Sequence, residues 1–117
     1  MVSQGKNMNE FVIVTTPTIP GYKIKKVLGT VTGLTPRTRG FGGQFLAGLQ
    51  SLRGGEVQAF TLEIEKARQE AIDRAREKAE KLGANALIGL DMETANVLQS
   101  VIVISATGTA VIAEPET

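Results

Sequence analysis

Apolar positions return at helical spacing through the middle of the chain. Phe60, Ile64, Ala67, Ala71, Ala75, Ala79 and Leu82 fall on one stripe at about 100° per residue, which predicts a helix over residues 57–81. Alanine dominates that stripe, so the helix axis is expected to lie close to whatever it covers. The other faces carry opposite charges at helical spacing, such as Glu70 with Arg74 and Glu77 with Lys81. Gly83 is the expected left-handed stop. At 1.5 Å per residue the helix would span roughly 40 Å, against the ~26 Å implied by the gyration radius of a ~100-residue domain. Part of it is therefore expected to touch something beyond its own subunit. Leu62 lies opposite the stripe, which points either to a neighbour or to non-helical fraying there. Arg68 at the edge of the stripe and Lys78 inside it read either as snorkelling side chains or as subunit contacts.

The flanking segments have a different period. Phe11-Val12-Ile13-Val14-Thr15-Thr16 is a short β-rich run, apolar on both faces. Ile19-Pro20-Gly21-Tyr22 fits a type II turn, with proline presetting φ and glycine taking φ > 0. A second strand is predicted over 22–32, with Gly29 marking a bulge or a close backbone approach. Residues 33–43 read as the main loop, and 41–52 as a short apolar helix closed by Arg53-Gly54-Gly55. A third strand is predicted over 86–93 and a fourth over 99–113, with Asn96 near the turn between them. In the fourth, Ala106, Gly108 and Ala110 suit the alanine-rich helix. The opposite parity, including Val101, Val103, Thr107 and Thr109, needs a second cover, from the short helix or from a neighbouring subunit. Together these elements predict one small α+β domain over 10–114, a flexible arm over 1–9 and a tail over 115–117.

Composition narrows the chemistry. The 117 residues are 42% hydrophobic and 21% charged, as expected of one folded domain. The formal net charge is +1, from thirteen basic and twelve acidic residues, which gives no general field for nucleic acid or anionic lipid. No apolar run approaches the ~20 residues of a membrane span, and residues 1–6 lack the apolar core of a signal peptide, so a cytoplasmic protein is expected. There is no cysteine and no histidine. Disulfides, thiolate nucleophiles, iron–sulfur clusters and cysteine-based zinc are excluded, and the usual general base and commonest transition-metal ligand are missing. No catalytic motif is present, so no enzyme activity, catalytic residue or cofactor is expected.

Two constellations offer ligand chemistry. Arg37-Thr38-Arg39-Gly40-Phe41-Gly42-Gly43 could form an anion site, with Arg37 and Arg39 clamping a phosphate or carboxylate over the freed N–H groups of Gly40, Gly42 and Gly43. A plain loop or a subunit contact explains the same residues. Asp91 and Glu93 sit at i and i+2 on one strand, so both carboxylates face one way and could meet a hard cation, although a solvated strand end explains them too.

The chain resembles the YbjQ-like family of small proteins. The likeness is carried by Thr15-Thr16-Pro17 through Gly21-Tyr22, Leu28-Gly29-Thr30-Val31-Thr32-Gly33, residues 67–70 of the helix, Leu82-Gly83-Ala84-Asn85-Ala86-Leu87-Ile88-Gly89-Leu90-Asp91, and Ser105-Ala106-Thr107-Gly108-Thr109-Ala110-Val111. It implies a two-layer β/α subunit with an antiparallel sheet, similar to dodecin subunits, in the order β-β-α(short)-α-β-β. It also implies a homopentameric ring in which short strands cross between subunits. The family carries a heavy-metal-binding label without an established activity. The expected reading is a non-enzymatic homo-oligomer, possessing a small-ligand site between subunits. The alternative is a metal- or oxyanion-binding protein using Asp91 and Glu93 or Arg37 and Arg39. Leu62, Arg68, Val101, Val103, Thr107 and Thr109 are the expected interface residues.

Overall fold

A computed structural model describes residues 10–38, 54–98 and 101–116. In chain order these form β1 (Val12–Ile13), β2 (Tyr22–Thr38), α1 (Gly54–Lys81), β3 (Ala86–Leu98) and β4 (Val101–Pro115). The strands make one sheet in the order β1-β3-β4-β2. β4 pairs antiparallel with both β3 and β2, whereas β1 runs parallel to β3, with Val12 opposite Ala86 and Ile13 opposite Leu87. The α+β class and the single long helix follow the periodicities, but the sheet is mixed rather than antiparallel. The chain leaves β1, passes through β2 and α1, and re-enters the sheet beside β1 in the same direction, the long connection that parallel pairing requires. The predicted short helix over 41–52 lies outside the described residues.

Two strands run further than their local sequence indicates. β2 continues through Gly33, Thr35 and Pro36, which read as a loop, because Ala106, Ile104 and Val103 of β4 pair with them rung for rung. Proline is tolerated there because β2 is an edge strand. β3 continues past Asn96 to Leu98 against the start of β4. The predicted tail also begins late, since Pro115 still belongs to β4 and the Glu116 N–H donates to the Gly21 carbonyl at 2.9 Å. The long helix opens at Gly54, three residues before the predicted start at Val57.

Turns and caps behave as their chemistry dictates. The Tyr22 N–H donates to the Ile19 carbonyl at 3.0 Å across Pro20-Gly21, and Gly21 has φ +84°, the type II geometry. At the end of α1, Gly83 has φ +92°. Its N–H reaches the Glu80 carbonyl at 2.9 Å and that of Ala84 reaches the Ala79 carbonyl at 3.1 Å, the paired bonds of a Schellman stop. Asn85 then ties the strands together. Its amide donates to the Ala113 carbonyl at 2.9 Å, its side-chain oxygen accepts from the Ala113 N–H at 2.8 Å, and its own N–H donates to the Val111 carbonyl at 3.1 Å.

The core lies between α1 and one face of the sheet. Ala67, Ala71, Ala75 and Ala79 are fully buried and meet Val31, Leu87, Ile104, Ala106 and Ala110. Gly33 lies where strand and helix come nearest. A Cβ built there would fall 2.1 Å from the Ala71 carbonyl oxygen and 2.5 Å from the Ala75 nitrogen, so the two backbones touch directly. On the other face, Ile19 folds over Ala86, Ile88, Val111 and Ala113 as a smaller cluster. The gyration radius is 17.4 Å and the extents are 56 × 28 × 19 Å, against about 13 Å for a compact chain of this length. The described chain is therefore long and thin.

Candidate functional site

The sheet face turned away from α1 is covered by Ile19 only at one end. Beyond Val111 it presents three strands side by side. Thr30, Thr32 and Leu34 of β2 stand opposite Thr109, Thr107 and Ser105 of β4. On the far side of β4, Asp91, Glu93 and Ala95 of β3 stand opposite Thr107, Ser105 and Val103. Directly opposed residues share a face, so hydroxyls fill the middle of this surface, two carboxylates flank it and apolar groups lie towards the hairpin end. The Thr32 and Thr107 hydroxyl oxygens are 3.0 Å apart. Val101, Val103, Thr107 and Thr109 are half-buried, while Asp91 and Glu93 are exposed.

Asp91 reaches this face through a bulge. Gly89 has φ +63°, and the register shifts between Ile88 and Asp91, so Gly89 and Leu90 together oppose Gly108. The extra residue is a left-handed glycine, as in a G1 bulge. It turns Leu90 and Met92 towards the helix-side core and leaves Asp91 and Glu93 on the open side.

Arg37 points the other way. Its side chain is 17% exposed and meets Glu63 and Glu70 of α1, each at 3.3 Å. Two carboxylates thus already surround the guanidinium that the sequence offers to an anion. Arg39, Gly40, Gly42 and Gly43 lie outside the described residues. Leu62 and Arg68 are exposed on α1. The predicted cation-side residues and four of the predicted interface residues therefore share one face, and Arg37 belongs to the opposite layer. Glu63 is not singled out in the sequence, and Glu70 is paired there with Arg74, whereas here it meets Arg37. The available signal was the spacing of seven between Glu63 and Glu70 on the helix, which puts both on one side.

The sequence model of a family described as "Putative heavy-metal-binding", YbjQ, matches residues 11–114. The chain belongs to the YbjQ family. A UPF0145 protein of Methanoregula boonei is 47% identical over 112 residues, covering 93% of this chain and 91% of that protein. One from Thermoplasma acidophilum is 43% identical over 94% of this chain and 92% of its own length, and one from Pyrococcus furiosus is 44% identical over 93% and 96%. The YbjQ fold is also similar to a crystal structure of a protein of unknown function from the DUF74 family of Pediococcus pentosaceus. That likeness has a TM-score of 0.57 at 19% identity and covers 87% of this chain and 96% of the other.

The family description raises a metal, which the donors of this YbjQ protein can test. Soft heavy metals seek thiolate and imidazole ligands, and the chain has neither cysteine nor histidine. Among the described residues no group of three or more acidic, cysteine or histidine side chains could hold a metal ion. The donor set does not fit a soft heavy metal. No helix among the described residues is long and apolar enough to cross a membrane.

Proposed function

We propose that this YbjQ protein works as a non-enzymatic homo-oligomer, a pentameric ring, whose subunits meet through the sheet face opposite α1. One observation carries the reading. That face holds half-buried Val101, Val103, Thr107 and Thr109, and no described element covers them. Its mixture of β-branched and hydroxyl side chains tolerates water in the free chain and a protein surface in the assembly. The exposed Leu34 extends the same face, and the elongated shape leaves much of the surface without an intramolecular partner. In a closed ring, copies of Asp91 and Glu93 gather near one another, and a small hydrated cation or polar ligand between subunits is the binding role this favours. Oxygen donors of this kind suit hard cations, not soft ones.

Native mass spectrometry of the full chain tests the assembly. The expected mass is five times that of the chain, and Val103→Asp is expected to give the single-chain mass with the far-UV circular dichroism retained. A wild-type protein that stays monomeric at micromolar concentration rejects the reading.

A further inference from the structure

β2 is an edge strand whose outward side is already occupied. The 3.0 Å contact between the Thr32 and Thr107 hydroxyls marks their rung as a non-hydrogen-bonded pair, in which the peptide groups of Thr32 point away from β4. By the two-residue period, those of Leu34 and Pro36 point outward as well. Each of the three carbonyls meets a cation. Lys78 Nζ donates to the Thr32 carbonyl at 2.7 Å, Arg74 Nη1 donates to that of Leu34, and Arg37 Nη1 donates to that of Pro36 at 3.2 Å. The repeats match, because four helical residues rise about 6 Å and two strand residues about 6.6 Å, so Arg74 and Lys78 step down α1 as Leu34 and Thr32 step down β2. Pro36 also has no N–H to offer on its outward side.

We propose that Lys78, Arg74 and Arg37 form a cationic clasp that closes the outer edge of β2 to strand addition, the strand excluded being that of a second copy of the chain. An incoming strand must place its own N–H groups on these carbonyls. It would have to displace charge-assisted hydrogen bonds and push aside side chains anchored on a packed helix. An edge left bare over this length would be a template for edge-to-edge pairing. The snorkelling expected of Lys78 thus has a destination. The inference does not rest on the ring, since the wild-type mass, whatever it is, serves as the reference.

The test compares wild type with Arg74→Ala/Lys78→Ala in the full chain, by light scattering against concentration and by amide hydrogen exchange at Thr32 and Leu34. Wild type is expected to keep a constant mass, with fast exchange at both outward amides. The double variant is expected to grow beyond the wild-type mass as concentration rises, with exchange at Thr32 and Leu34 slowed at least tenfold in the larger species. An unchanged mass with fast exchange overturns the proposal. So does a fall below the wild-type mass, which would make the cations interface groups. If circular dichroism shows that the double variant has lost its fold, Lys78→Met decides, because it keeps the side-chain stem and removes only the charged donor. It is expected to raise association several-fold over wild type, and no rise overturns the proposal.

Discussion

The helix side of the sheet and its open side solve burial in opposite ways. On the helix side the contact residues are small: Ala67, Ala71, Ala75 and Ala79 of α1 against Gly33, Ala106, Gly108 and Ala110 of the strands, nearly all without exposed surface. Backbone meets backbone, and little space remains for any added atom. On the open side Val101, Val103, Ser105, Thr107 and Thr109 of β4 are β-branched or hydroxylated and only half-buried, and Ile19 covers the face at one end. A tightly fitted face is committed to one partner, its own helix. A half-buried face of threonine and valine is suited to a partner that arrives later. The two sides should therefore differ in how a substitution is felt, through stability on one and through assembly on the other.

The hardest way to break the helix side is Gly33→Ala. The new Cβ would collide with the Ala71 carbonyl oxygen and the Ala75 nitrogen, which belong to a helical backbone and have nowhere to go. The expected cost is at or above the upper end of the ~1–3 kcal/mol typical of overpacking, a fall in Tm of more than about 10 °C. Thermal denaturation checks this, and a Tm within a few degrees of wild type would mean that α1 does not rest on β2 as described.

Gly108→Ala sharpens the same point. Its Cβ would approach Leu87 Cδ1 and Cγ at 3.0 Å and the Ile88 carbonyl oxygen at 3.2 Å. Most of that crowding falls on a side chain that can turn, so a loss of about 1–2 kcal/mol is expected, smaller than at Gly33. The ordering of the two variants in urea midpoints is the measurement. A larger loss at Gly108 would place the tightest contact within the sheet instead of under the helix.

The helix side was largely legible in the sequence because alanine at i, i+4, i+8 and i+12 has few explanations besides close packing. The strand partner was legible as well, since Ala106-Gly108-Ala110 alternates with larger residues. What local sequence hid was the length of β2. Gly33 and Pro36 carry loop chemistry, and only the distant β4 makes strand of them. The same long-range pairing hid the site. Thr32 meets Thr107 and Arg37 meets Glu63 and Glu70 across separations that no local pattern encodes. Arg37 was visible as a cation and Glu70 as a carboxylate, but the pairing of Arg37 with Glu63 and Glu70 was not. Asp91 and Glu93 were legible as a same-face pair, while the glycine bulge that turns them to the open side was not.

Arg37→Met probes the upper end of the helix side, where packing gives way to charge. The variant keeps an apolar stem and loses two part-exposed ion pairs, leaving Glu63 and Glu70 without their shared cation. A loss of about 1 kcal/mol is expected. Because these pairs are partly solvated, the gap from wild type should narrow between about 0.1 M and 1 M salt. Thermal melts at the two salt concentrations measure it. A gap that does not shrink would assign the loss to packing of the side chain and not to its charge.

The smallest expected effect lies at Thr35, one turn of the strand repeat from Gly33 on the same side. Thr35 is fully buried, and among the described residues its hydroxyl has no hydrogen-bond partner. A buried hydroxyl without a partner forfeits its hydration and gains nothing in return. Valine has nearly the same shape and no such loss, so Thr35→Val should be neutral or stabilising by up to about 1 kcal/mol. This is the reverse of what the same exchange would do at Thr32 or Thr107, where the hydroxyls meet at 3.0 Å and Thr→Val removes a hydrogen bond. Denaturant titration of Thr35→Val beside Thr107→Val therefore compares the two sides directly. If Thr35→Val instead costs more than about 0.5 kcal/mol, its hydroxyl has a partner beyond the described residues, and the helix side is not the purely apolar layer that its alanines imply.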